Sequence, residues 1–85
     1  MNKYEIFEEV ENKVVDWGYD KGILHAGPST KQRRLKQYQK TEEEVDELFT
    51  AITTDNREEA IDAIGDILVT LIMQTRLWKT DLYEC

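Results

Sequence analysis

Cysteine is all but missing from this chain. Cys85, at the last position, is the single one, so no disulfide can close within the sequence and a reducing cytoplasm is the expected compartment. Proline is equally scarce. Pro28 stands alone, and three of the four glycines (Gly18, Gly22, Gly27) gather just ahead of it. Irregular backbone is therefore expected over residues 18–28 and long unbroken elements elsewhere. No apolar run approaches the ~20 residues of a membrane span. The longest, Ile67 to Met73, already includes Thr70, and Met1 to Glu9 holds no apolar h-region of a signal peptide. Bases are outnumbered, 11 against 18 acids, for a net charge of −7. That excludes direct nucleic-acid binding by phosphate neutralisation, which needs a basic face. It leaves room for an anionic substrate if a metal sits between. The lone His25 lies in the irregular stretch, where a loop-packing role is the plain reading. Acidic helical segments without histidine lack the Glu-x-x-His pairs of di-iron bundles.

What the chain does have is charge in clusters and apolar residues at helical spacing. Its 85 residues are 40% hydrophobic and 34% charged, which suits one globular domain over residues 1–85. Lys3 to Gly18 reads as an amphipathic helix with Phe7, Val10, Val14 and Trp17 on one face and Gly18 as its terminator. Ile23 and Leu24 anchor the following loop. Ser29 with Gln32 reads as a capping box that opens a second helix, running to about Thr53. Its apolar stripe is Leu35, Tyr38, Val45, Leu48, Phe49 and Ile52. Asp55 with Glu58 reads as a second capping box, for a third helix that ends near Trp78. The half of that helix from Ile67 to Met73 is apolar nearly all round and must be covered on several sides. Three helices in so short a chain hardly do so, and a homo-oligomer, dimer or tetramer, is expected. Thr80 or Asp81 caps one further turn, which is expected to dock on a partner subunit or to be the remnant of a lost element. The fold class is thus all-α: an antiparallel bundle of about three helices plus a short C-terminal turn, completed by oligomerisation.

The second helix is polarised. Lys31, Arg33, Arg34, Lys36 and Lys40 precede Glu42, Glu43, Glu44, Asp46 and Glu47. Bases in first turns oppose the helix dipole, so local stability does not explain them. They read either as a solvated face or as cations that meet phosphates or a neighbour's carboxylates. Glu43, Glu44 and Glu47 share a face, as do Asp62 and Asp66 on the third helix. Like charges at this spacing cost ~0.2–0.5 kcal/mol per pair, on the order of 1–2 kcal/mol for the first cluster, and a divalent cation reverses the sign. A short connection near residues 54–55 makes the two helices antiparallel. Glu47 and Asp62 then lie ~11 Å from the turn and Glu44 and Asp66 ~16 Å. Four carboxylates form a two-by-two set, with Glu43 beside it, if both acidic faces turn inward. Such oxygen-rich sets suit Mg²⁺ or Mn²⁺, one or two ions, together with water and substrate phosphate.

The run Gln37-x-x-Lys40-x-x-Glu43-Glu44-x-x-Glu47-Leu48, followed by Asp62-Ala63-Ile64-Gly65-Asp66-Ile67-Leu68-Val69, resembles the MazG-type all-α nucleoside triphosphate pyrophosphohydrolases, especially the short bacteriophage MazG-like proteins. The resemblance covers roughly residues 17–84. It implies an Mg²⁺-dependent hydrolysis of a (d)NTP to the monophosphate and pyrophosphate, in a bundle completed by dimerisation or higher association. It implies Glu44, Glu47 and Asp66 as metal ligands, Glu43 and Glu44 as catalytic acids (Glu43 beside the attacking water), and Lys40 and Gln37 as contacts to phosphate or nucleotide. Lys36 and Arg33, at the basic start of the same helix, join them as substrate-binding residues. A host cytoplasm is the implied location for a phage protein. The family's second motif, Glu-x-x-Asp, has its glutamate where this chain has Ala63, and Asp62 is expected to ligate instead. Relatives of this kind continue past the stretch ending at Cys85 into a basic last helix, for which a neighbouring subunit is expected to compensate. Trp17, Tyr19, Tyr38 and Trp78 are able to stack on a base, with core packing the plainer reading. The alternative from another class is a non-catalytic acidic module that captures a basic surface of a host protein.

Overall fold

The computed structural model describes residues 3–85. Three helices account for most of them: α1 (Lys3–Asp20), α2 (Lys31–Thr53) and α3 (Arg57–Leu77). No strand occurs among the described residues. The all-α class therefore stands. α2 and α3 form an extensively packed antiparallel hairpin, while α1 touches α3 and not α2.

The helix ends show why the boundaries differ from those read in the sequence. α1 runs on through Gly18 and stops at Asp20. Gly22 is the residue with positive φ, +75°, and the Gly22 and Ile23 amides donate back to the Tyr19 and Gly18 carbonyls. That is the six-to-one and five-to-two pairing of a Schellman cap, with glycine at the left-handed position. Gly18 is needed for closeness instead: a Cβ there would lie 2.5 Å from Met73 Sδ and 3.2 Å from Leu24 Cδ1. Gly18→Ala is expected to cost about 1–3 kcal/mol through overpacking, read as a lowered urea midpoint with unchanged slope.

Each N-cap falls one residue later than expected. Thr30, not Ser29, caps α2, its Oγ1 accepting from the Arg33 amide at 3.2 Å. The Ser29 hydroxyl donates to the carbonyl of Leu77, one of the orphan acceptors at the end of α3. Asn56, not Asp55, caps α3, accepting from the Glu59 amide at 3.2 Å. Asp55 takes φ +52° and closes α2, with the Asn56 amide donating to the Ala51 carbonyl at 2.8 Å. Short polar side chains tolerate that conformation better than most. Lys79, φ +56°, closes α3 in the same way.

The C-terminal turn docks on its own chain. The Leu82 amide donates to Glu11 Oε1 at 3.0 Å, and Leu82 packs against the core. Arg76 Nη2 meets the same Glu11 oxygen at 3.5 Å. Of the two caps expected, Asp81 is the one seen: the Glu84 amide donates to Asp81 Oδ1, while the Thr80 hydroxyl donates to Glu84 Oε2 and caps no amide.

The core itself is small: Leu24, Ile72, Met73 and Leu77, with Val14, Val15 and Leu82 against it. Phe7, Val10 and Trp17, expected to face inward, remain 44–50% exposed. The radius of gyration is 14.0 Å and the extents are 40 × 38 × 23 Å, against about 12 Å for a compact domain of this length. The chain is a plate, and much of one side of it is apolar.

Candidate metal and nucleotide site

Antiparallel packing brings Glu44 and Glu47 of α2 against Asp66 of α3. Each offers one carboxylate oxygen, and the three oxygens lie within 4.8 Å of one another. Glu44 is half-buried and the other two are exposed. Burial holds the Glu44 carboxyl above its ordinary range, reinforced by a hydrogen bond with Glu47 and by the charges of Glu47, Asp66 and Glu43. Its Oε2 is buried with no hydrogen-bond partner. An orphaned buried oxygen in a nest of carboxylates is costly unless a proton or a cation reaches it.

The donor set fits a hard divalent ion. Carboxylate oxygens are its preferred ligands, and oxygens held at about 2.1 Å from magnesium stand about 3–4.2 Å apart. From their 4.8 Å limit the three oxygens need close by at most about 0.6–1.8 Å.

One residue expected in this set stands outside it. Asp62 is exposed and is not among the grouped ligands. Ala63, 2% exposed, occupies the buried position of that turn, and the preceding residue is rotated by about 100° around the helix. The two-by-two set is therefore a set of three, enough to anchor one ion. Glu43, expected beside the set and not in it, is exposed, with its carboxylate 3.8 Å from Lys40 Nζ. Both partners are largely solvated, so this pair adds little stability; it does keep Glu43 beside a lysine.

A cavity of about 590 Å³ opens from Glu44 and Asp66. Lys36 and Lys40 of α2 line it, and Trp17, Lys21 and His25 close its other side. Arg33 reaches it too, but its Nη1 donates to the carbonyls of Gly27 and Pro28 at 3.3 and 2.7 Å and so pins the loop. Gln37 is buried, with its Nε2 donating to the Thr70 carbonyl at 3.1 Å. It lines the cavity as well, while its amide nitrogen is engaged between helices. Arg34 lies over the Trp78 ring, 4.3 Å from its centroid. The basic start of α2 thus divides: arginines hold the structure together, and lysines line the cavity. His25 Nδ1 accepts from the Gly27 amide at 3.1 Å, which gives it the loop-packing role as well as a place on the wall. Lys21 is the lining residue the sequence did not single out; no local pattern distinguishes it from other surface lysines. Among the described residues, no helix is long and apolar enough to cross a membrane.

The family profile described as phosphoribosyl-ATP pyrophosphohydrolase matches residues 4–85. No individually curated protein and no solved structure matches the chain significantly.

Proposed function

The chain belongs to the phosphoribosyl-ATP pyrophosphohydrolase family, one of the MazG-like all-α nucleotide pyrophosphohydrolases, and from that premise we propose that it is an Mg²⁺-dependent nucleoside triphosphate pyrophosphohydrolase. It would convert a (d)NTP and water to a (d)NMP and pyrophosphate. The observation that carries this reading is the grouping of Glu44, Glu47 and Asp66, of which Glu44 and Asp66 line a cavity shared with Lys21, Lys36 and Lys40.

Glu44, Glu47 and Asp66 would hold the ion, with Mn²⁺ able to replace Mg²⁺. Bound there, it supplies Lewis-acid stabilisation of the polyphosphate and of the charge that leaves with pyrophosphate. Lys36 and Lys40 act as point charges for the phosphates. The water oxygen forms a bond to the α-phosphorus while the bond from that phosphorus to the α–β bridging oxygen breaks. The bridging oxygen departs with pyrophosphate. A proton of the water passes to the Glu43 carboxylate, which has Lys40 alongside. Trp17, half-exposed at the far wall, offers a face for the base. Stacking of this kind is worth ~1–3 kcal/mol per base, so Trp17→Ala is expected to raise KM roughly 10–100-fold with little change in kcat, measured by steady-state kinetics.

The functional unit is read as a homo-oligomer in the cytoplasm, because the apolar side of the plate needs a partner. The test of function is to incubate the protein with Mg²⁺ and a panel of (d)NTPs and to assay pyrophosphate, monophosphate and orthophosphate separately, with and without a chelator. Equal pyrophosphate and monophosphate, abolished by chelation, is the expected result. Diphosphate with orthophosphate refutes it, and no turnover with any nucleotide favours the non-catalytic acidic module.

A further inference from the structure

The stretch of α2 that leads to the carboxylates has a polar seam. Arg34, Gln37, Thr41 and Glu44 recur at the three- and four-residue spacing of one helix face. Hydrogen bonds join this face to α3. Gln37 Nε2 donates to the Thr70 carbonyl at 3.1 Å. The Thr41 hydroxyl donates to Thr70 Oγ1 at 2.9 Å, and the Thr70 hydroxyl donates on to the Ile67 carbonyl at 2.7 Å. In the reverse direction, Gln74 Nε2 donates to the Arg34 carbonyl at 3.1 Å. Gln37 and Thr70 are both buried.

Apolar contacts are non-directional and leave two packed helices free to adjust along their axes. Hydrogen bonds fail steeply with distance and angle. Buried, they specify one arrangement more strictly than apolar contacts do; here Gln37 Nε2 and both threonine hydroxyls are engaged, while Gln74 Oε1 has no partner. Thr41 stands three residues before Glu44, and Thr70 four residues after Asp66. The Thr41–Thr70 bond is therefore about 4.5–6 Å along the hairpin from Glu44 and Asp66. A slide of one turn, about 5.4 Å, would break the bond and separate the carboxylates on α2 from the one on α3.

We propose that Thr41 and Thr70, with Gln37, are positioning residues: their bonds set the register of α2 against α3 and so the gap across which Glu44 and Glu47 meet Asp66. This rests on the reading of those three carboxylates as metal ligands. It also gives Gln37 a role through α3.

Thr41→Val is the cleanest perturbation. It keeps side-chain shape and leaves Thr70 bonded to Ile67, so no buried donor is orphaned. Helicity is expected to be unchanged. The Mn²⁺ dissociation constant, measured by paramagnetic relaxation of water, should rise about tenfold, as for loss of an outer-sphere support. The kcat should fall at least about tenfold from misplacement, with KM within about twofold. Thr41→Ser should restore both, which a merely structural loss of a methyl or of packing would not do. Wild-type affinity and kcat in Thr41→Val overturn the proposal. A register readout separates this proposal from the functional one. Whether or not wild type binds metal or turns over nucleotide, the Asp66 backbone amide shift should move in Thr41→Val and the Glu44 amide shift in Thr70→Val, each across the seam, and both should return in the serine variants. Unmoved cross-seam amides refute the lock even if the enzyme is active; moved amides in a protein that binds no metal sustain the lock and refute the metal reading instead.

Discussion

Asp66→Asn is expected to leave a folded, helical protein that releases pyrophosphate on the order of 100-fold more slowly or not at all, and that no longer gains stability from Mg²⁺. Asp66 is the one grouped ligand on α3, so its loss leaves both remaining ligands on a single helix. In the wild type, Mg²⁺ at 100 times its dissociation constant should add about 2.7 kcal/mol, on the order of 10–20 °C in Tm for a domain of this size. The asparagine variant should show neither effect. Glu44→Gln gives a complementary sign. The Glu44 carboxyl sits above its ordinary value of 4.5 because of burial and then its acidic neighbours. A proton therefore binds the native state more tightly than the unfolded one. Metal-free stability then falls as pH rises from 4.5 through the raised value. Glutamine at 44 should remove that slope and abolish the response to metal. A denaturation series at several pH values, with and without Mg²⁺, reads both. An unaltered metal response in either variant contradicts the assignment of these ligands.

Phe49→Glu is expected to dissociate the proposed homo-oligomer. Tyr38, Val45, Phe49 and Ile52 on α2, and Ile61, Ile64, Leu68 and Leu71 on α3, are 38–66% exposed in the single chain. Their spacing places them about half a turn round from Glu47 and Asp66. The hairpin therefore carries its site on one side and a naked apolar face on the other, a pattern that marks an interaction surface. Fully burying one such side chain is worth ~1.5–3 kcal/mol. A symmetric pair loses that twice, so the dissociation constant should rise roughly 10²–10⁴-fold. Sedimentation velocity is the measurement. Wild type should run at a multiple of the 10.0 kDa chain mass and the variant at the chain mass; a monomeric wild type at micromolar concentration contradicts the reading of this face.

Much of the hairpin was legible because its signals are local. Apolar spacing and the short connection define two antiparallel helices, and equal distance from the turn pairs Glu44 with Asp66. The caps were displaced by one residue because neighbouring polar residues compete for the same role: Ser29 and Asp55 satisfy carbonyl and turn geometry, leaving Thr30 and Asn56 to cap. Asp62 failed to join the carboxylates because the inward position of its turn is taken by Ala63, a fact of rotation that charge alone does not reveal. Trp17, Lys21 and His25 reach the cavity through the packing of α1 on α3, which no short-range pattern encodes. The Thr41–Thr70 bond was invisible for another reason. Threonine in a helix more often bonds its own preceding turn, and both threonines do so here as well as meeting each other.

The central claim is that water attacks the α-phosphorus of a nucleoside triphosphate at this carboxylate and lysine site. Turnover in ¹⁸O-enriched water, followed by ³¹P NMR of the products, tests it most directly. The account predicts one ¹⁸O in the monophosphate and none in pyrophosphate, with the signal absent in Asp66→Asn. Label in pyrophosphate or orthophosphate, or unchanged turnover in that variant, would contradict it.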